Sequence, residues 1–215
     1  WSWVRVPEVD SSRLENGSLL LRAGRMSLST MYSRNILVRP QEAFRFTVTA
    51  SLRLDSEVLR HSGGEAGVTC YYDENTYLTF NVANCGGHLF LKVCEHVDTT
   101  TTEAASVGLD THSSAIILRI DTDYLRRSFS YLLTDADGTP DADLADSFTP
   151  LCTLDNVYYL CDEGLKKGKR FTGAMHGMYA YLPPCKAPYS EAGAFELPAD
   201  DVPVYARFTS YRWTM

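Results

Sequence analysis

Residues Ala66 to Val93 read AGVTCYYDENTYLTFNVANCGGHLFLKV, and this stretch decides the fold. Its three runs of β-branched and aromatic residues are separated by turn-forming residues, at Asp73 to Asn75 and at Asn84 to Gly87. In the second run polar and apolar side chains alternate, which is typical of a strand with one buried and one solvated face. The face predicted to lie in solvent carries Tyr77, Thr79 and Asn81. The stretch therefore predicts a three-stranded antiparallel meander, whose apolar face needs a second sheet to cover it.

Other short runs with strand character lie on both sides of the meander. The longest alternation extends from Ala43 to Asp55. Further runs are Ser18 to Arg22, Ile36 to Arg39, Ala115 to Asp121, Arg127 to Leu133, Phe171 to Tyr181 and Val204 to Trp213. We also expect the first and last strands to pair, which would bring Trp1 and Trp213 to one edge. Because helical periodicity is almost absent, the sequence predicts an all-β, two-sheet antiparallel β-sandwich that forms a single domain over residues 1–215, with jelly-roll order as a hypothesis.

Charge and hydropathy exclude several classes of protein. The chain has 20 Lys and Arg against 27 Asp and Glu, a net charge of -7, which argues against a nucleic-acid partner or an anionic membrane surface. No run approaches the roughly 18 apolar residues of a transmembrane helix. No signal sequence opens the chain, so a cytoplasmic location is the corresponding expectation. A natural amino terminus is rarely as apolar as Trp1, and we expect the chain to begin inside a longer protein.

Neither a metal nor a cofactor is predicted. The six cysteines show no CxxC spacing, so we expect mostly free, buried thiols, and the five histidines form no HxH or HExxH pattern. The acidic stretch from Thr134 to Phe148 lacks the glycine and glutamate register of an EF-hand and is interpreted as a solvated loop. Two carboxylate pairs, Asp55 with Glu57 and Asp121 with Asp123, lie next to turns, where acids commonly favour solubility. The chain by itself is therefore expected to be non-catalytic.

Four motifs, in order along nearly the whole chain, resemble one known domain. They are Trp1 to Pro7; Ser29 to Arg39 with Gln41, Ala43 and Phe44; Ala66 to Val68 with Tyr71, Tyr72 and Asp73; and Phe171 to Ala174. The domain is the concanavalin A-like carboxy-terminal domain of family 43 glycoside hydrolases of the β-xylosidase type. The resemblance implies a concanavalin A-like jelly roll, preceded in the longer enzyme by a five-bladed propeller that carries the catalytic carboxylates.

The resemblance also implies a role for the loop at Thr172, Gly173, Met175 and His176. In the family this loop leans over the propeller's pocket, and its last aromatic residue helps to form a sugar subsite. Met175 occupies the aromatic position here, which implies weaker stacking on a sugar. The closing strand, at Ala206 to Tyr211, lacks the two acids of the family pattern, so no ion is expected there.

Three functional hypotheses follow. The first is an accessory domain of a β-xylosidase or α-L-arabinofuranosidase-like enzyme of hemicellulose breakdown, with the propeller and a small oligosaccharide as partners. The second is an independent carbohydrate-binding module or lectin-like domain. Its candidate glycan contacts are Tyr71, Tyr72, Tyr179 and Trp213, with Tyr77 and Tyr181 as further exposed-face candidates. The third is a structural domain that makes a homo-oligomer.

Overall fold

Two antiparallel sheets make up the protein. A computed structural model of the chain describes residues 1–109, 112–135, 147–165, 173–184 and 202–215. The strands in these ranges are β1 (Ser2–Trp3), β2 (Ser12–Glu15), β3 (Ser18–Arg22), β4 (Leu37–Pro40), β5 (Arg45–Arg53), β6 (Glu65–Asp73), β7 (Thr76–Cys85), β8 (His88–Val97), β9 (Thr100–Gly108), β10 (Ala115–Asp123), β11 (Arg126–Thr134), β12 (Thr149–Leu154), β13 (Met175–Tyr181) and β14 (Tyr205–Thr214). Short 3₁₀ helices lie at Glu57–Arg60, Tyr158–Leu160 and Asp162–Gly164.

Each sheet has seven strands. The first has the order β1-β4-β13-β6-β7-β8-β9, and the second β12-β11-β10-β5-β14-β3-β2. The predicted meander is confirmed as β6, β7 and β8, with consecutive antiparallel pairing. The predicted pairing of the terminal strands is wrong, because β1 pairs with β4 while β14 lies between β5 and β3 in the other sheet. The two ends still meet through side chains, since the Trp1 ring packs edge-on against Tyr211 with centroids 4.7 Å apart.

The main core lies between the two sheets. It is built from the alternate residues of the central strands, such as Leu78, Phe80 and Val82 of β7. Phe80 of the first sheet and Phe129 of the second pack edge to face, with centroids 5.4 Å apart. Both rings are almost completely buried, so this contact joins the sheets at the centre of the sandwich.

The outer face of the first sheet is buried as well, and here the prediction of a solvated face is wrong. Residues 23–36, named the covering segment here, place Leu28 and Ile36 against Tyr71, Tyr77 and Tyr179. All residues of β7 except Cys85 are therefore buried, including polar ones. Alternation identified the polar face of β7 correctly, but it carries no information about a segment that returns from elsewhere in the chain to cover that face.

Some local predictions have a clear outcome. The 3₁₀ helix Tyr158–Leu160 follows β12. No strand pattern in the sequence marks β9 or β12. Five cysteines in the described residues are free thiols, as predicted, but the prediction of burial is wrong for most of them, because only Cys70 is buried and Cys85 is exposed. The sixth, Cys185, lies outside the described residues. Most of the acidic stretch also lies outside the described residues. No helix in the part of the chain that the structure describes has both the length and the apolar character that a membrane crossing requires.

Candidate functional site

One end of the sandwich carries the start of β13 and a pocket beside it. Gly173 and Ala174 precede β13, and the Ala174 carbonyl accepts a hydrogen bond of 2.9 Å from the Gln41 backbone N–H. Gly173 adopts a φ of 67°, a backbone conformation that glycine tolerates without strain. Thr172, which the sequence placed in the same loop, lies outside the described residues. This loop is thereby fixed to the connection between β4 and β5.

The pocket has a volume of about 380 Å³ and a mostly apolar lining. Three segments enclose it besides Gly173 and Ala174: the β4–β5 connection, the β10–β11 turn and the 3₁₀ helices. The lining residues from these segments include Gln41, Phe44, Leu125, Arg127, Val157 and Leu160. Glu42, Asp162 and Glu163 also line the pocket. A cavity of this size and composition accepts an apolar side chain or a small polar ring.

Exposed aromatic side chains surround the mouth of this pocket. Phe44 is 69% exposed and Tyr124 is 54% exposed, and their rings stack with centroids 5.6 Å apart. The Arg45 guanidinium lies 5.0 Å from the Tyr124 ring centroid. Together with Leu125, which is also exposed at the pocket, these two rings form what is named the aromatic patch here. Exposed apolar groups that lie together mark interaction sites more often than single exposed residues do.

Arg127 supports the patch from beneath. Its guanidinium is buried, at 2% exposure, and donates hydrogen bonds of 2.7 Å to the Tyr124 carbonyl and 3.2 Å to Oε1 of Gln41. A buried charge is tolerated only where such partners compensate for lost hydration. Arg127 thus holds the β10–β11 turn and the β4–β5 connection in fixed relation to each other.

His176 lies between the sheets, behind the pocket. It is 2% exposed, and its Nδ1 lies 2.5 Å from the Tyr211 hydroxyl. Burial lowers the pKa of His176 to about 4, and the nearby charges of Arg39 and Arg127 act in the same direction. The imidazole is therefore neutral near pH 7. Its side chain has almost no access to solvent, and its hydrogen bond with Tyr211 joins β13 to β14 of the second sheet.

Met175 points to the opposite face of β13. It is half-buried against the cluster of Tyr71, Tyr179 and Leu28 on the outer face of the first sheet. Because successive side chains of a strand alternate between faces, Met175 and His176 do not meet at one surface. The structure thus separates the two loop residues that the sequence placed in one subsite, and leaves Gly173 and Ala174 at the pocket.

The candidate glycan contacts are mostly inaccessible. Tyr71, Tyr72 and Tyr179 are fully buried, and none presents a ring face to solvent. Trp213 is half-buried, with the Arg39 guanidinium 5.0 Å from its ring centroid and the His176 ring stacked near it. These four residues do not form one surface.

The carboxylate pairs that were weighed as catalytic are engaged in other contacts. Asp55 binds Arg53 through two hydrogen bonds, and Asp123 accepts one of 2.8 Å from Arg45. Asp121 accepts a hydrogen bond of 2.6 Å from Thr47. In the described residues no group of three or more His, Cys, Asp or Glu is arranged to hold a metal ion.

Sequence reasoning missed the aromatic patch, although one signal was available. Tyr124 and Leu125 form a two-residue turn between β10 and β11, and Tyr124 has a φ of 52°. Turns of this kind favour Asn, Asp and Gly, because a bulky residue at positive φ is strained. The strained backbone at Tyr124 places its ring against Phe44 and beside Arg45.

Comparisons with known proteins agree on the fold. The sequence profile of the beta xylosidase C-terminal concanavalin A-like domain matches residues 1–190. The BlXynB protein of glycoside hydrolase family 43 from Bacillus licheniformis aligns with 22% identity and a TM-score of 0.76, over 99% of this chain and 36% of that one. A xylan beta-1,4-xylosidase from Bacillus halodurans C-125 aligns with 21% identity and a TM-score of 0.71, over 97% of this chain and 35% of that one. A search of curated protein sequences finds no match.

These solved proteins are much longer than the chain described here. The chain spans little more than a third of the length of each, and identities of this size show the shared fold alone. The profile match, in contrast, covers most of the chain in one continuous alignment. The chain therefore belongs to the family of C-terminal concanavalin A-like domains of β-xylosidases.

Proposed function

We propose that this chain is the accessory domain of a family 43 glycoside hydrolase, and that it packs on the catalytic propeller through the aromatic patch. The observation that carries the proposal is the pocket of about 380 Å³ beside Gly173 and Ala174, with exposed aromatic rings at its mouth. Such a surface is costly to leave in water and favourable to cover. The chain spans a minor part of its solved relatives, which supports a partner domain in the same protein.

The pocket and patch have the properties of a domain interface. Their aromatic side chains supply apolar contact area, while Arg45, Glu42 and Glu163 provide a polar border. Arg127 makes the surface rigid before docking, so little conformational entropy is lost when the partner binds. In this arrangement the Gly173–Ala174 loop reaches the partner first and borders its substrate pocket.

A pair of substitutions in a longer protein that carries this chain tests the docking. Phe44→Asp and Tyr124→Asp each place a charge in the patch, and we expect the chain to unfold in a separate thermal transition from its partner domain. Leu14→Asp is the matched control, because Leu14 is also exposed but lies on β2, away from the patch. Equal calorimetric profiles for the patch and control variants would exclude the patch as the interface.

For the substrate we propose a xyloside or arabinoside of hemicellulose. The support is the structural likeness to a xylan beta-1,4-xylosidase from Bacillus halodurans C-125, together with the family to which the chain belongs. Met175→Ala in the longer protein tests whether the start of β13 shapes the substrate pocket of the catalytic domain. We expect a changed KM or a changed preference between xylosides and arabinosides. Unchanged kinetics on both substrates would exclude this role for Met175.

A further inference from the structure

A second cleft lies at the opposite end of the sandwich from the aromatic patch. It has a volume of about 590 Å³ and a mostly polar lining. The β2–β3 hairpin, the start of β14, the end of β5 and the 3₁₀ helix Glu57–Arg60 form its walls. It is named the arginine cleft here, after four of its lining residues: Arg13, Arg53, Arg60 and Arg207.

The charge of the arginine cleft contrasts with that of the chain. The protein carries seven more acidic than basic residues, yet the lining has four arginines and two acids, Asp55 and Glu57. Strand register explains how the arginines meet. Arg13 of β2 and Arg207 of β14 both lie opposite Leu20 of β3, so the three side chains share the outer face of the second sheet. Leu20 is buried, as expected if the long arginine stems cover it.

The carboxylate of Glu15, beside the cleft, leaves part of the guanidinium donors of Arg13 and Arg207 unused. Arg53 is engaged by Asp55 through hydrogen bonds of 3.1 and 3.2 Å. Arg13 and Arg207, however, share the single carboxylate of Glu15, at 3.5 and 3.2 Å. A guanidinium has five N–H donors, so one shared carboxylate cannot satisfy two of these groups. Both side chains also keep solvent access, at 58% and 34%.

Arg60 is the most available cation of the cleft. It is exposed and makes no hydrogen bond or ion pair within the described residues. The Arg60 charge acts on Asp55. The hydrogen bond from Arg53 lowers the pKa of Asp55, and the Arg60 charge lowers it further. The Ser56 hydroxyl accepts a hydrogen bond of 3.0 Å from the Arg207 backbone N–H, and Glu57 accepts one of 3.3 Å from the Tyr205 N–H. These contacts fix the 3₁₀ helix that carries Arg60 beside Arg207.

The position of the cleft keeps it accessible when the aromatic patch is covered. The strand β5 has Arg45, next to the patch, at one end and Arg53, in the cleft, at the other. Eight steps of about 3.3 Å separate these ends by about 26 Å. A partner domain on the patch would therefore leave the cleft in solvent.

We propose that the arginine cleft binds a small polar ligand that carries one compact oxyanion, a carboxylate or a phosphate. Planar guanidinium groups recognise both anions through paired N–H donors, with more directional bonds than a lysine ammonium offers. The cleft volume suits a ligand of about one or two sugar rings. A carboxylate would come from an acidic sugar, and a phosphate from a phosphorylated metabolite or the free ion.

Titration of the full chain with three probes at constant ionic strength tests the proposal. Sodium glucuronate and inorganic phosphate present the two anions, and xylose presents a sugar without a charge. We expect saturable binding of at least one anion in isothermal titration and no binding of xylose at the same concentration. Tighter glucuronate binding identifies an acidic sugar, and tighter phosphate binding identifies a phosphate source. Equal binding of xylose and glucuronate would overturn the proposal, because the anion would then contribute nothing.

Two variants locate the binding site. Arg60→Gln removes the available cation without breaking an ion pair, and we expect at least a tenfold weaker affinity for the preferred anion, about 1.4 kcal/mol. Arg126→Gln is the control, because Arg126 is similarly exposed but lies at the other end of the sandwich. Circular dichroism should show the same fold and thermal midpoint for both variants. The proposal fails if Arg60→Gln binds as tightly as Arg126→Gln.

Discussion

Two titratable side chains, the buried His176 and the half-buried Glu65, lie on opposite faces of the first sheet, and their contributions to stability depend on pH in opposite directions. His176, on the inner face, has a pKa lowered to about 4, chiefly by burial. Glu65, on the outer face, has a pKa raised to about 7 by burial, despite hydrogen bonds from Tyr179 and Asn81 and the nearby Lys92 charge. Both groups are therefore neutral in the folded protein over a pH range in which they are charged in the unfolded chain.

The pH dependence of stability should reveal the His176 contribution. The pKa of His176 in the folded protein lies below the usual 6.5. Its contribution to stability is therefore fully present above pH 6.5 and is lost as the pH falls towards 4. We expect the difference in free energy of unfolding between wild type and His176→Gln to shrink by about 2 kcal/mol from pH ~7 to pH ~5. Urea unfolding at both pH values measures it. A constant difference would show that the imidazole has an ordinary pKa in the fold.

Glu65→Gln should have the opposite pH profile. The folded pKa of Glu65 lies above its usual value, so its contribution is present at low pH and is lost as the pH rises from about 4.5 to 7. We expect the stability of Glu65→Gln, relative to wild type, to increase by up to about 2 kcal/mol from pH ~5 to pH ~7, and by less if solvent reaches the half-buried carboxylate. Glu103→Gln is the control, since Glu103 is exposed on the same sheet. If the stability of both variants changed with pH in the same way, the pKa of Glu65 would not be raised in the folded protein.

For individual residues, the sequence predicted the orientation of some side chains but not their burial. Alternation alone implies that Met175 and His176 point to opposite faces, although the resemblance grouped them in one loop. Which of the two faces is buried depends on residues far away in the chain, so no local pattern could show it. Arg127 is the clearest case. An arginine at the start of a strand is usually solvated, and only the folded structure shows that it holds two loops of the candidate site.

Among the elements, the covering segment should contribute to stability through its packed apolar side chains. Ile36 is 1% exposed against the outer face of the first sheet. We expect Ile36→Ala to lower the free energy of unfolding by about 2–4 kcal/mol, because the cavity forms in a packed cluster. Met31→Ala is the control from the same segment, since Met31 is 61% exposed, and it should cost less than about 0.5 kcal/mol. Urea denaturation gives both values, and equal values would mean that the segment does not pack tightly.

The elements also differ in how well the sequence predicted them. The strands β5, β7 and β10 have long runs of alternating or apolar residues, and their local pattern identifies them. The edge strand β9 begins with three threonines and is mostly exposed, so it has no apolar face for a pattern to report. Its strand conformation comes from pairing with β8 rather than from its own composition.

For the molecule as a whole, two free thiols give a measure of cooperative unfolding. Cys70 lies in the core between the sheets, and Cys85 is exposed at the end of β7. We expect iodoacetamide to modify Cys85 rapidly and Cys70 only through global unfolding, at a rate lower by a factor of about 10³ or more. Burial also raises the pKa of the Cys70 thiol, which lowers its thiolate fraction. Peptide mass spectrometry measures both rates.

High urea provides the control for this measurement, since both thiols should react at similar rates once the chain is unfolded. Rapid modification of Cys70 under native conditions would show that the two sheets separate locally, without unfolding of the whole sandwich.

The strand β5 lies in the middle of the second sheet, paired with β10 from Arg45 to Arg53 and with β14 from Thr47 to Leu52. Pairing with two neighbours restrains the strand, so we expect the distance between its two ends to vary little. The strand therefore sets the separation between the aromatic patch and the arginine cleft. An anionic ligand in the arginine cleft, at the Arg53 end, would lie at a nearly fixed distance from a partner domain docked at the Arg45 end. Insertions could lengthen this spacing only in steps of two residues. A single inserted residue would move the following inward-facing side chains of β5 to the outer face of the sheet.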